Sequence, residues 1–129
     1  MQEVFIVSMA RTPIGGLSGV LGGVNVIELG KTVVKAAMER AGVNGDQIDE
    51  VYLGNVLQAN VGQAPAQQVS IAAGINTKTP CTTINKVCAS GMKAIMLGAQ
   101  SIMLGDNHIV VVGGMESMSN APHYIPTGR

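Results

Sequence analysis

The chain has 129 residues, of which 47% are hydrophobic and 12% charged, and its eight basic residues balance eight acidic ones. That length holds one domain with a real core and leaves little room for a second. Neutral charge and 2% aromatic content exclude the basic stripes and stacking rings of a nucleic-acid binder. No apolar run approaches the roughly 18 residues of a membrane span, and Met1-Gln2-Glu3 lacks the basic flank of a signal or transit peptide. A soluble, cytoplasmic chain is therefore expected. Its two cysteines, Cys81 and Cys88, are too few for a disulfide scaffold or a four-cysteine zinc site, and no metal is expected.

Glu3 to Met9 (EVFIVSM) reads as a buried strand, ended by Arg11-Thr12-Pro13 and the glycine-rich stretch Gly15 to Gly23. Asn25 with Glu28 three residues on reads as a helix cap, and the helix runs to about Arg40 with Gly42 as its stop. Asn44-Gly45-Asp46 turns the chain into a second strand, Val51 to Leu57. Pro65 suits the first turn of a second helix, closed by Gly74. Pro80 to Asn85 (PCTTIN), β-branched at Thr82, Thr83 and Ile84, reads as a third strand. Met92, Ile95, Met96, Ala99, Ile102 and Met103 then fall on one stripe of a third helix, which reads as core packing. Gly105 and Asp106-Asn107 end it, and His108 to Gly113 (HIVVVG) reads as a fully buried fourth strand. The order β-α-β-α-β-α-β predicts an α/β fold, a mostly parallel sheet with right-handed crossovers and helices on both faces.

Three motifs fail on inspection. Gly15 to Gly23 never spells G-x-G-x-x-G, so a dinucleotide site lacks its phosphate turn. Gly30-Lys31-Thr32 mimics the end of a P-loop, but Asn25 replaces its first glycine and the triplet lies inside a predicted helix whose amides are already used. Lys31 reads as a solvated helix-face residue. Ser90 is not framed as G-x-S-x-G.

Cys88 lies in Asn85-Lys86-Val87-Cys88-Ala89-Ser90-Gly91-Met92, between the third strand and the third helix. Sites in open parallel sheets form outside the carboxyl ends of the strands, and a helix N-terminus favours a thiolate. Ala89, Ser90 and Gly91 leave room for a substrate. The terminus supplies about 0.3–1 kcal/mol, occasionally about 2. One pKa unit is about 1.4 kcal/mol, so the field moves a thiol by about one unit and a base or cation is still required. A buried structural cysteine is the alternative. His108 opens a strand at the opposite end of the sheet and reads as a surface residue. His123 is on the correct side but sits in the proline-containing tail, Ser117 to Arg129. Cys81 reads as a small core residue within its strand. Glu116, after Gly113-Gly114 at a strand's carboxyl end, reads either as a site residue or as a structural hydrogen-bonding group.

Several segments together resemble the N-terminal part of the thiolase family. They are Ala10-Arg11-Thr12-Pro13-Ile14-Gly15, Gly54-Asn55-Val56-Leu57-Gln58-Ala59, Gly62-Gln63-Ala64-Pro65, Asn85 to Gly91, and Gly113-Gly114-Met115-Glu116-Ser117-Met118-Ser119. The cysteine segment with GGMESMS separates thiolases from the related ketosynthases, and within the family the wording most resembles the acetyl-CoA C-acetyltransferase (acetoacetyl-CoA thiolase) branch. The resemblance implies that Cys88 is the acyl-thioester nucleophile in condensing two acetyl-CoA to acetoacetyl-CoA and in the reverse thiolysis, a step of fatty acid metabolism. It implies coenzyme A thioesters as substrates with no separate cofactor. It also implies a homodimer or homotetramer, in which Thr79 to Lys86 pairs with its equivalent in a second copy.

The resemblance also implies motifs that this chain does not contain: a second cysteine in C-x-G-G-G, a histidine in G-H-P and an asparagine in N-E-A-F. Their roles do not pass to Cys81, His108 or His123. The expectation is an incomplete N-terminal thiolase-type domain over residues 1–119, with 120–129 beginning a loop domain. It stops before the fifth strand of the first half and is inactive alone. The alternatives are a non-catalytic assembly module, half of a split enzyme, a 3-ketoacyl-CoA thiolase of broader chain length and a ketosynthase relative.

Overall fold

The computed structural model describes residues 2–128. Asn25 caps the first helix, α1 (Val26–Ala41), with its Oδ1 accepting from the Glu28 N–H at 2.9 Å, and Gly42 closes it in the left-handed region at φ 68°. The Glu28 carboxylate does not return the bond; it pairs with Lys31 Nζ at 2.7 Å, so Lys31 is the helix-surface residue expected. Strand β1 (Glu50–Gly54) follows, then α2 (Pro65–Ala72), β2 (Cys81–Ile84), α3 (Ser90–Leu104) and β3 (Val110–Gly114). The sheet is parallel throughout, in the order β2-β1-β3.

Alternation along the strands sorts the layers. Val51 and Leu53 of β1 are buried with Val26, Val34 and Met38 of α1 and Ala66 and Val69 of α2, so α1 and α2 lie together on one face. On the other face α3 rests on Val110 and Val112 through Gly98. The crossover through α2 moves one way along the sheet on one face, and that through α3 moves back on the opposite face, so the two share one hand. Helices on both faces are as expected.

Four expectations are corrected. Residues 3–9 form no strand: Phe5, Ile6, Val7 and Met9 are exposed, and their backbone joins no ladder among the described residues. A strand exists only through its partner, however apolar its sequence. β3 is likewise a half-buried edge strand instead of a fully buried one, because β1 pairs on one side of it and no described strand on the other. The second strand stops at Gly54 instead of Leu57, because the Val56 and Leu57 N–H groups turn to the Glu116 carboxylate.

The fourth correction concerns α3. Met92, Ile95, Met96 and Met103 face solvent, whereas Ser90, Ala94, Gly98 and Ser101 are buried against the sheet. A methyl group on Gly98 would collide with Val112 Cγ1, so only the small-residue stripe admits this close approach. The large apolar residues of the exposed stripe also carry Val87–Leu104 to a mean hydropathy of 1.4 over 18 residues, the length and composition of a membrane span, although no single continuous apolar run announces it. In this fold the segment is a crossover helix and the turn before it.

Candidate active site at Cys88

All three strands deliver their carboxyl ends to one place. Three glycines let α3 start directly on the sheet there. A Cβ on Gly54 would meet the Ser90 backbone at 2.6 Å, and one on Gly114 would meet Gly91 Cα at 3.1 Å. The loop entering α3 is tied to itself: Val87 N donates to Asn85 Oδ1 at 3.1 Å, Lys86 N to Ser90 Oγ at 2.8 Å, and Ser90 Oγ to the Val87 carbonyl at 2.6 Å. These bonds hold Val87 at φ 49°, a left-handed conformation that is unfavourable for a β-branched residue and, when held, tends to mark a functional loop. Cys88 follows, exposed, two residues before the first helical residue. No side chain caps α3, so the field of its first-turn N–H groups is left for a neighbouring anion.

Cys88 lines a cavity of about 390 Å³ with Gly54, Asn55, Leu57, Gly91 and Glu116, and with Met115 and Met118 among its apolar contacts. Glu116 is partly buried and accepts from Asn55 Nδ2 at 2.8 Å, Val56 N at 3.0 Å and Leu57 N at 3.2 Å. Both sequence readings of Glu116 therefore hold: it lines the site and it is a structural acceptor.

The other candidates lie elsewhere. Cys81 starts β2 at the amino end of the sheet, where its Sγ donates to the Thr79 carbonyl at 3.3 Å and burial pushes its thiol pKa up. Both features make it a poor nucleophile. His108 is exposed beside Asp49, also at the amino end, with Nδ1 4.0 Å from Oδ2. His123 is exposed in the tail and does not line the cavity. Among the described residues no three His, Cys, Asp or Glu side chains gather as a metal site.

Sequence reasoning missed Asn55 as a site residue. It is 1% exposed, and because the strand was expected to run on to Leu57 the sequence placed it inside the strand; only the early end of β1 at Gly54 puts it at the carboxyl end.

The family described as "Thiolase, N-terminal domain" matches residues 4–129. The chain belongs to the thiolase family. This thiolase segment is 56% identical over 128 residues to the mitochondrial acetyl-CoA acetyltransferase of Xenopus tropicalis, covering 99% of the chain and 30% of that protein. It is also 56% identical over 129 residues to the cytosolic acetyl-CoA acetyltransferase of Gibberella zeae, covering all of the chain and 33% of that protein. The crystal structure of the Acat5 thiolase from Ascaris suum in complex with coenzyme A superposes with a TM-score of 0.96 at 47% identity. That match covers 99% of the chain and 34% of the Ascaris chain. The thiolase segment thus spans about a third of these relatives' length. The expected thiolase-like α/β fold, a partial N-terminal half, is the one observed.

Proposed function

We propose that this thiolase segment acts within a longer chain as an acetyl-CoA C-acetyltransferase, with Cys88 as its nucleophile and coenzyme A thioesters as its substrates. The observation that carries the reading is an exposed cysteine at the carboxyl end of a parallel sheet, opening on a mainly apolar cavity. The relatives named for acetyl-CoA acetyl transfer support the substrate class. The exposed apolar faces of α3 and of residues 3–9 support a larger body that covers them.

In the acylation step the Cys88 thiolate attacks the thioester carbonyl carbon. A new carbon–sulfur bond forms, the bond to the coenzyme A sulfur breaks, and coenzyme A leaves as a thiolate that takes up a proton. The thiol proton of Cys88 goes to a base supplied outside residues 1–129. In condensation, a second acetyl-CoA loses a proton from its methyl carbon to a base outside residues 1–129, and that carbon attacks the acetyl carbonyl on Cys88. A carbon–carbon bond forms, the bond to the Cys88 sulfur breaks, and acetoacetyl-CoA leaves with Cys88 as the thiolate. Thiolysis runs the same steps backwards. No further organic cofactor and no metal is required by these steps.

The reading extends to assembly and location. β2 is an edge strand with its outer ladder free among the described residues, which supports pairing with a second copy in a homodimer or homotetramer. Residues 120–129 begin the loop domain. A cytosolic relative supports cytoplasmic placement and a mitochondrial relative the alternative, and cell fractionation decides between them.

The test is to incubate the full-length protein with acetyl-CoA, quench and map the acetyl group by peptide mass spectrometry. A single acetyl on the peptide holding Cys88, lost in Cys88→Ala, is expected. Acetyl transfer that survives Cys88→Ala overturns the assignment.

A further inference from the structure

Asn55 is 1% exposed, and its Nδ2 donates to Glu116 Oε1 at 2.8 Å and to the Met115 carbonyl at 3.4 Å. Those two acceptors fix which way the amide faces, since turning it over would set oxygen against oxygen. Its other end, Oδ1, is buried and has no hydrogen-bond partner among the described residues. Asn55 stands in the wall of the cavity that holds Cys88, and no other bare buried side-chain oxygen among the described residues belongs to that wall. Glu116 reaches it from the end of β3 and, in the same grip, takes the Val56 and Leu57 N–H groups.

We propose that Glu116 is a positioning residue for acyl transfer at Cys88, acting through Asn55. Its carboxylate clamps residues 55–57 as one wall of the cavity and presents Asn55 Oδ1 to a hydrogen-bond donor bound there. The inference rests on the acyl-transfer reading of Cys88. A carboxylate suits the task because three N–H donors converge on its two oxygens. A glutamine there offers one acceptor oxygen and sets its own amide hydrogens against a donor.

The test compares Glu116→Gln, Asn55→Ala and the double variant in the full-length protein. Readouts are thiolysis of acetoacetyl-CoA, thermal stability, and alkylation of Cys88 by iodoacetamide, which also counts folded sites. Misplacement of a reacting group by about 1 Å costs about 100-fold. Each single variant should therefore lose about 10- to 100-fold in kcat per alkylatable site, with KM for coenzyme A unchanged. The double variant should lose no more than the worse single one, because Glu116 acts through Asn55. Alkylation should quicken as the wall loosens.

Losses that multiply in the double variant, or a kcat per site equal to that of the unaltered protein, overturn the pairing. Should the unaltered protein be inert toward coenzyme A thioesters, the functional reading falls by itself. Alkylation then judges the pair alone: faster in folded variants supports it, and unchanged overturns it.

Discussion

Val87 and Cys88 show how one strained residue places its neighbour at the mouth of a cavity. Holding an L-residue in the left-handed region costs about 1–2 kcal/mol, and here the loop bonds to Asn85 and Ser90 impose it. Asparagine tolerates that region far better than a β-branched residue. Val87→Asn should therefore raise stability by up to about 1 kcal/mol, read as a higher Tm in the full-length protein. An unchanged or lower Tm would show that the apolar Val87 side chain matters more than its backbone. Cys88 was legible in the sequence because a small-residue turn between strand and helix already implied its position. Asn55 was not, since its importance comes from a bond to Glu116, 61 residues away in the chain.

At the level of elements, two helices obey different rules. α1 buries Val26, Gly30, Val34 and Met38 at four-residue spacing, with its cap and its stop at the positions expected. Replacing Asn25 by Ala should cost about 1 kcal/mol, because the Glu28 N–H loses its acceptor. α3 buries its small stripe and exposes its large one. Gly98→Ala should destabilise by about 1–3 kcal/mol through overpacking against Val112, whose branched side chain has few rotamers to yield with. Gly16, with open space around its Cβ direction, is the control and should tolerate alanine. Equal Tm shifts at the two glycines would refute the close approach of α3. Helical periodicity marks both stripes of α3 as non-polar and does not rank them; the distance between helix and sheet does.

For the whole molecule, two groups on and beside β1 respond to pH in opposite senses. Tyr52 is pushed up from 10.0 to about 12, first by burial and then by the neighbouring Glu50 carboxylate. The unfolded chain thus loses this proton before the folded one. Its contribution is fully present below pH 10.0, falls as pH rises and is gone above about 12. Asp49 behaves oppositely: the Ile109 N–H, then the His108 N–H, hold its pKa down, so its contribution is lost as pH falls through that lowered value. Tyr52→Phe should flatten the alkaline limb of Tm against pH and leave the acid limb unchanged. An unaltered alkaline slope would remove Tyr52 as its cause. The sequence by itself determined α1 with its cap and stop, α2 from its first-turn Pro65 to its closing Gly74, the parallel α/β order from residue 25 onward, the family and the position of Cys88. These follow from local backbone preference, turn chemistry and motif spacing. Only the tertiary structure decided that residues 3–9 form no strand, that α3 turns its small face inward, and that Glu116 grips Asn55 beside the cavity. Each of these depends on what stands opposite a residue in space, and neighbours along the chain carry no record of that.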